Sequence, residues 1–203
     1  VISGQLVNIY AALGDEPGTI AALDRYFQVE PYPSLSNLRR AARLYDGVGR
    51  YQDAIPIYRQ LLEDNPDDLE ILETLVQDLL ATDADEEALP VLSHLVTLSW
   101  DKITIYNLML DLLLRLDHPD QLHDVLVQLH KLDPDDTEVA LRLAASFIDS
   151  GRTAQGERVF QTVSAKKISK IELLLTRARV FESMHMADHA LRDYESALQS
   201  QGE

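Results

Sequence analysis

Histidine and carboxylate side chains cluster in one stretch of this sequence. His118, His123 and His130 are accompanied by Asp120 and Asp124, and imidazole with carboxylate is ordinary chemistry for binding a transition metal. The histidines are spaced by five and seven residues, and these intervals do not place three rings on one face of a helix. We therefore predict surface histidines and no metal site.

A second histidine pair and the other reactive residue types argue against catalysis. His185 and His189 are four residues apart, but Met186 stands where a zinc-protease helix needs a glutamate. The chain has no cysteine, and its eight glycines are scattered instead of forming a phosphate-binding loop. We predict that the protein is not an enzyme and needs no cofactor.

Basic side chains are concentrated at only two places, residues 39–43 and residues 166–170. Affinity for a nucleic acid backbone comes from clustered lysine and arginine. These two clusters are separated by a strongly acidic segment. We therefore predict that the protein does not bind nucleic acid.

Charge is unevenly distributed along the chain. The net charge is −16, and residues 63–136 alone hold 19 acidic and three basic side chains, whereas acids and bases balance on either side of this segment. Acids near helix N-termini interact favourably with the helix dipole. A strongly acidic surface also steers a basic partner toward it. Both interpretations stay open from the sequence alone.

A period of 34 residues governs the chain from Leu35 onward. Five consecutive units share one pattern of residue classes, and they begin at Leu35, Leu69, Ile103, Thr137 and Ile171. The 24th position of each unit is large and apolar: Tyr58, Leu92, Leu126, Phe160 and Tyr194. A fixed period of this length is typical of stacked helix-turn-helix units, none of which can bury its apolar face alone.

Small residues occupy the eighth and 20th positions, where the two helices of one hairpin are expected to cross. The pairs are Ala42 with Ala54, Val76 with Ala88, Ala144 with Gly156, and Ala178 with Ala190. Small side chains allow the two backbones to approach closely. The middle unit has Leu110 and Leu122 at these positions, so we expect wider or shifted helix packing there.

The unit that begins at Leu35 resembles the tetratricopeptide repeat. In the positions of that family's pattern it places Leu38, Ala42, Tyr45, the turn at residues 49–51, Ala54, Tyr58 and Pro66. The resemblance covers residues 35–203 well and residues 1–34 loosely, as one degenerate hairpin. It implies an all-α fold, a right-handed superhelical solenoid of antiparallel helix hairpins, that binds proteins.

The length of the chain, 203 residues, is close to six such units. We expect a single array with units at residues 1–34, 35–68, 69–102, 103–136, 137–170 and 171–203, and no strand. Helix pairs are predicted at 2–13 with 17–29, 36–47 with 52–64, 69–82 with 86–98, 103–116 with 119–132, 137–149 with 153–164, and 171–184 with 187–200. Because the sequence begins at Val1 without a methionine, we interpret it as part of a longer protein.

In tetratricopeptide arrays the first helix of each unit lines a concave groove, chiefly through its second, fifth, ninth and twelfth positions. The resemblance therefore implies a partner-binding set on the first helices: Arg39, Arg43, Glu70, Glu73, Gln77, Asn107, Asp111, Leu114, Glu138, Leu141 and Ile148. We expect the partner to be a protein or peptide segment with basic and apolar residues, since charge selects orientation and apolar contact adds affinity. The alternative for the leucines is that they pack within the array and meet no ligand.

A second hypothesis assigns the chain a structural role. It would be a spacer in a longer repeat array, or a module that self-associates or stacks on further repeats, in a multiprotein complex such as a bacterial assembly or export apparatus. No apolar run approaches the roughly 20 residues of a membrane span, so we expect no membrane insertion. The sequence leaves the compartment open between cytoplasm and periplasm.

Trp100 is the single tryptophan and stands at a unit boundary where the repeat usually has proline. We expect it to cover the ends of neighbouring helices. The alternative is a contact with a partner, because tryptophan is enriched at binding hot spots.

Overall fold

Helical hairpins make up the structure of the protein, a computed structural model that describes residues 2–29, 33–164 and 169–200. The helices are α1 Ile2–Leu13, α2 Glu16–Val29, α3 Leu35–Gly47, α4 Tyr51–Asp64, α5 Leu69–Ala81, α6 Asp85–Leu98, α7 Lys102–Leu116, α8 Pro119–Leu132, α9 Thr137–Asp149, α10 Thr153–Ser164, α11 Lys170–Ser183 and α12 Ala187–Ser200. These ranges contain no β-strand. The predicted all-α fold is confirmed.

The helix bounds follow the 34-residue period of the sequence. The second helices of five hairpins begin 34 residues apart, at Tyr51, Asp85, Pro119, Thr153 and Ala187. Every helix begins and ends within one residue of its predicted position. Apolar periodicity and turn residues were therefore sufficient to place the helices.

Each of the five hairpin turns after α3, α5, α7, α9 and α11 contains one residue in the left-handed backbone region. These residues are 34 positions apart, with φ between 55° and 77°, and they are Gly49, Asp83, Asp117, Gly151 and His185. Glycine adopts this conformation without strain, and aspartate and histidine are among the side chains that tolerate it. The turn geometry thus persists where the sequence has lost glycine.

Side-chain caps begin five of the first helices. The capping residues, whose side chains accept hydrogen bonds from backbone N–H groups of the following turn, are Ser34, Asp68, Asp101, Asp136 and Ser169. Asp85, Glu86 and Glu87 lie in the first turn of α6. Helix starts therefore account for part of the acidic segment, through the orphan N–H groups and the dipole at a helix N-terminus.

The predicted close helix crossings are present. Ala42 and Ala54 are completely buried where α3 meets α4, and so is Ala144 in α9. A Cβ atom on Gly156 would lie 2.6 Å from the carbonyl oxygen of Ala144, closer than real Cβ contacts come. Small residues thus set the distance between the two helices of a hairpin.

The helices form two compact groups, Val1–Trp100 and Asp101–Glu203. In the first group α4 packs on α5, and in the second α9 packs on both α8 and α11. Leu110 and Leu122, the large residues at a predicted crossing, are both buried. The single array and the wider packing at these leucines stay predictions.

Among the residues that the structure describes, no helix is both long enough and apolar enough to cross a bilayer.

Candidate partner-binding site

The first helices carry a polar face opposite their buried face. In α5, Glu70, Glu73 and Gln77 are exposed, whereas the buried residues include Ile71, Leu72, Leu75, Val76 and Leu79. Two sides of one helix therefore have different roles, since the apolar side supports the hairpins and the polar side stays open to solvent.

Two ion pairs join α3 to the start of α5. Nη2 of Arg39 donates to Oδ2 of Asp68 at 2.5 Å, and Nη2 of Arg43 donates to Oε1 of Glu70 at 2.5 Å. The hydrogen bond from Arg39 is the main reason that the pKa of Asp68 lies below its usual value. The predicted site residues Arg39, Arg43 and Glu70 are thus brought together on neighbouring first helices.

A cavity of about 140 Å³ lies between α3, α4 and α5, and we call it the α3–α5 cavity. Its polar lining consists of Arg39, Arg43, Asp46, Tyr58, Glu70 and Thr74, and Ile71 is its apolar wall. Burial, followed by the charges of Asp46 and Asp78, raises the pKa of Tyr58. The Tyr58 hydroxyl therefore stays protonated and is both a donor and an acceptor.

The second group of helices presents a comparable but less enclosed surface. Asn107, Asp111 and Glu138 are exposed, whereas Leu114 is half-buried. Oε1 of Glu138 pairs with Nη2 of Arg142 one turn along α9, at 2.7 Å. Because the Glu138 side chain is 59% exposed, although that of Arg142 is only 20% exposed, solvent weakens the pair and Glu138 remains available to a partner.

Leu141 requires a correction to the predicted contact set. Its side chain is completely buried and belongs to the core formed by α9, α10, α11 and α12. Ile148 is half-buried and packs against the same core. The position of Leu141 in the repeat places it inward because α9 also packs on α11, so Leu141 has no surface to offer a ligand.

Three of the histidines line one cavity of about 160 Å³ in the second group, with Asp117 and Asp120 nearby. These are His118, His123 and His185, whereas His130 is not part of the lining. Among the described residues, no group of three or more His, Asp or Glu side chains is arranged to hold a metal ion. His118, His123 and Asp120 are close in the sequence, but their side chains are not arranged as metal ligands.

His123 has a structural environment. Its Nδ1 lies 2.8 Å from Oγ of Ser146, and that hydroxyl donates to the carbonyl oxygen of Leu143 at 2.8 Å. The hydroxyl proton is therefore committed, so the imidazole N–H is the donor to Ser146. Burial, aided by Arg152, lowers the pKa of His123, and the neutral ring fits this role.

Asp78 is a buried charged residue that the sequence reasoning missed. It is 1% exposed in α5, and its Oδ2 atom has no hydrogen-bond partner. A signal was present, because the tenth position of the other four units has Leu44, Leu112, Ser146 and Val180. A charged residue in a column that is otherwise uncharged marks a buried charge.

Trp100 also requires a correction. Its side chain is 94% exposed, so it does not cover the ends of neighbouring helices as expected. Trp100 lies in the connection between α6 and α7. Contact with a partner stays a prediction for this residue.

The paired antiparallel helices define an all-α solenoid of tandem hairpins. The family model described as "Tetratricopeptide repeat" matches residues 47–97, which include α4, α5 and nearly all of α6. The tetratricopeptide resemblance inferred from the sequence is therefore confirmed. This fold supports a scaffold for protein interactions.

Solved structures share the fold. The crystal structure of MamA protein is 16% identical, with 83% of this chain and 92% of that chain covered, at a TM-score of 0.50. YrrB, described as a TPR protein with an unusual peptide-binding site, is 14% identical, with 90% of this chain and 93% of that chain covered, at a TM-score of 0.51. No curated protein matches the chain. Identities this low show a common fold alone.

Proposed function

We propose that the protein is an interaction scaffold that binds a basic and partly apolar segment of a partner protein on the exposed face of its first helices. The carrying observation is the division of α5, whose buried residues are mainly apolar while Glu70, Glu73 and Gln77 stay exposed. Solvent-facing carboxylates beside half-buried apolar side chains fit a cationic, amphipathic segment.

The charge distribution supports the same class of partner. Residues 63–136 contain the whole acidic excess, and helix capping occupies only some of those acids. The remaining carboxylates create a negative surface, which accelerates the approach of a basic partner and loses strength as salt rises. YrrB, which has a related fold, is described as having a peptide-binding site, and this supports a peptide-like ligand here.

Pull-down with charge-reversal variants tests this function. Glu73→Lys on α5 changes the proposed binding face, and Glu63→Lys on α4 is the matched control, because both side chains are exposed. Asp111→Lys with its control Asp124→Lys repeats the comparison in the second group of helices. Bound proteins are identified by mass spectrometry, and the bound segment is mapped with peptides.

We expect partners whose mapped segment is basic and apolar, with capture lost in Glu73→Lys or Asp111→Lys and kept in both controls. Equal capture by all four variants, or mapped segments that are acidic, would show that the first-helix face is not the binding surface.

A second candidate, self-association, is favoured by one observation on α12. Tyr194 is 36% exposed, although the equivalent residues of the four preceding units, Tyr58, Leu92, Leu126 and Phe160, are all buried. Leu191 and Leu198 on the same helix are also exposed. Sedimentation of the wild type and of Leu198→Ser over a range of concentrations tests it, since a concentration-independent monomer excludes self-association.

A further inference from the structure

Two buried polar residues in the second group of helices, Asp193 and Ser146, have a complementary partner, whereas Nδ1 of His130 and Nε of Arg142 in the same group have no hydrogen-bond partner among the described residues. Arg177 stands in a column of alanine, leucine and methionine, and Asp193 stands in a column of valine and isoleucine. The two side chains meet in a bidentate pair with both N–O distances at 2.5 Å. His123 and Ser146 form a second pair at 2.8 Å. In each of these two pairs, one polar residue satisfies the other.

Asp78 in the first group has no such partner. It is buried, and Oδ2 of its carboxyl group has no partner. After burial, the neighbour that raises the pKa of Asp78 is Asp46, another acid. The buried residues that α6 packs against α5 are all apolar. A buried carboxyl group without a cation is unfavourable, and complementary chemistry is missing from the described part of the chain.

Asp46 connects this buried acid to the α3–α5 cavity, which it lines. The two arginines of the same cavity are already engaged, Arg39 with Asp68 and Arg43 with Glu70. Asp46 forms no ion pair with any residue that the structure describes. Because Arg39 pairs with Asp68, which lies outside the lining, Asp46 is the one lining carboxylate that neither arginine neutralises.

We infer that the α3–α5 cavity is a subsite for one lysine side chain of the bound segment, with Asp46 as its counter-ion and Asp78 as a positioning residue that acts through Asp46. An ammonium group has three donors, and the cavity offers three acceptors in Asp46, the Tyr58 hydroxyl and the Thr74 hydroxyl. The Thr74 hydroxyl donates its own proton to the carbonyl oxygen of Glu70 at 2.9 Å and so keeps its lone pairs free. Ile71 is placed to contact the methylene stem. This inference rests on the proposed function and names its specificity pocket.

Proton release accompanies binding in this arrangement. Burial first, and then Asp46, raises the pKa of Asp78 to about 7, so the carboxyl group is largely protonated at mildly acidic pH. Other ionisable groups around it are Arg43 and Asp46 on α3, Tyr58 on α4 and Glu70 on α5. An ammonium group at Asp46 favours the ionised pair and expels the proton. Binding therefore strengthens as pH rises.

Fluorescence anisotropy with a defined peptide tests the subsite. The probe is a fluorescein-labelled peptide of four leucine–lysine pairs, and its counterpart has every lysine N-acetylated. Titrations run at pH 6 and pH 8 at constant ionic strength. For one proton released near pH 7, we expect the wild type to bind the lysine peptide roughly tenfold more tightly at pH 8 than at pH 6 and to discriminate against the acetylated peptide.

Matched variants separate the subsite from the rest of the surface. Asp78→Asn should remove the pH dependence of binding. Glu73→Gln should weaken binding but keep its pH dependence, and Asp124→Asn should change neither the affinity nor its pH dependence. If the wild type prefers the lysine peptide but its affinity is the same at pH 6 and pH 8, the lysine subsite is wrong while the proposed function stands. If the wild type binds both peptides equally, or binds neither, both are wrong.

A second measurement needs no peptide and isolates the cavity. The side-chain carboxyl carbon of Asp78 is followed by NMR from pH 5 to pH 9 in n-butylammonium chloride, which imitates a lysine side chain, and in sodium chloride at the same concentration. We expect the titration midpoint to move to lower pH in butylammonium, and Asp46→Asn to abolish that movement. Identical midpoints in the two salts would overturn the inference.

Discussion

Asp78 and Asp193 are two buried aspartates in similar helical hairpins, and they differ in what faces them. Asp193 is 5% exposed and accepts two hydrogen bonds from Arg177, at 2.5 Å each. Asp78 is 1% exposed and faces Asp46. Asp193 is therefore neutralised within the fold, whereas Asp78 is neutralised by a proton or, as inferred above, by the cation of a partner.

This difference shows how a repeat scaffold can hold both structural and functional charges. A charge that is matched internally fixes the packing of α11 on α12, and the hydrogen bond to Asp193 is the main cause of the raised pKa of Arg177. A charge that is left unmatched reduces stability when it ionises, but it stays available for recognition. Both aspartates are buried, so the presence or absence of a counter-ion distinguishes the structural charge from the functional one.

Removing the cation from the matched pair should have the largest effect. Arg177→Met leaves Asp193 buried without a counter-ion, and we expect a loss of about 3–5 kcal/mol in the free energy of unfolding. Chemical denaturation followed by circular dichroism measures it. Arg179→Met on the exposed side of the same helix is the control, and an equal loss in both variants would refute the comparison.

Replacing both members of the pair should restore much of that loss. In Arg177→Met with Asp193→Leu no charge remains buried, and hydrophobic substitutes for a buried ion pair are often neutral or stabilising. We expect the double variant to be more stable than Arg177→Met alone, in the same denaturation assay. A double variant as unstable as the single one would mean that packing around Phe160, over which Arg177 lies at 4.9 Å, was the cause.

Neutralising Asp78, the unmatched aspartate, should raise the free energy of unfolding, whereas Arg177→Met should lower it. The pKa of Asp78, about 7 in the folded protein, exceeds the value of about 3.9 for aspartate in an unfolded chain. The folded state therefore holds more protons between these values, and this contribution to stability is fully present below about pH 4 and is lost as pH rises through about 7. Asp78→Asn should remove this slope and stabilise the protein at pH 8 by roughly 1–3 kcal/mol.

Denaturation curves at pH 5, 6, 7 and 8 measure this slope, with Asp124→Asn as an exposed control. A slope unchanged by Asp78→Asn would show that another group titrates. A variant that is less stable than the wild type at pH 8 would show that the Asp78 carboxylate is matched after all.

Breaking an exposed pair should have the smallest effect. The side chains of Arg43 and Glu70 are 59% and 65% exposed, so solvent screens their attraction. Arg43→Met should change the free energy of unfolding by less than about 1 kcal/mol. A larger loss would mean that exposure does not separate this pair from Arg177 and Asp193.

The helices could be read from the sequence because their signals are local and repeated. The columns containing Ala42 and Ala54, or Tyr58 and Phe160, recur every 34 residues, and one degenerate position does not disturb the register. The exposed polar members of the binding face, such as Glu73 and Asp111, were implied by the resemblance to the tetratricopeptide repeat. Their role in binding stays a proposal.

Other features could not be predicted from the sequence, because they depend on which positions of neighbouring repeats contact each other. Leu141 was assigned to the surface by its position on α9, and the packing of α9 on α11 buries it. Trp100 was expected to cover helix ends, and it is exposed. The sequence shows that Asp193 and Arg177 depart from the pattern, but it does not show that they face each other.

By itself the amino-acid sequence determined the secondary structure, the repeat and the hairpin turns, because each depends on residues within one 34-residue unit. Tertiary structure alone decided which polar departures are satisfied. Contacts between neighbouring helices bring Arg177 to Asp193 but only Asp46 to Asp78, and the free energy of a buried charge depends on those few neighbouring atoms.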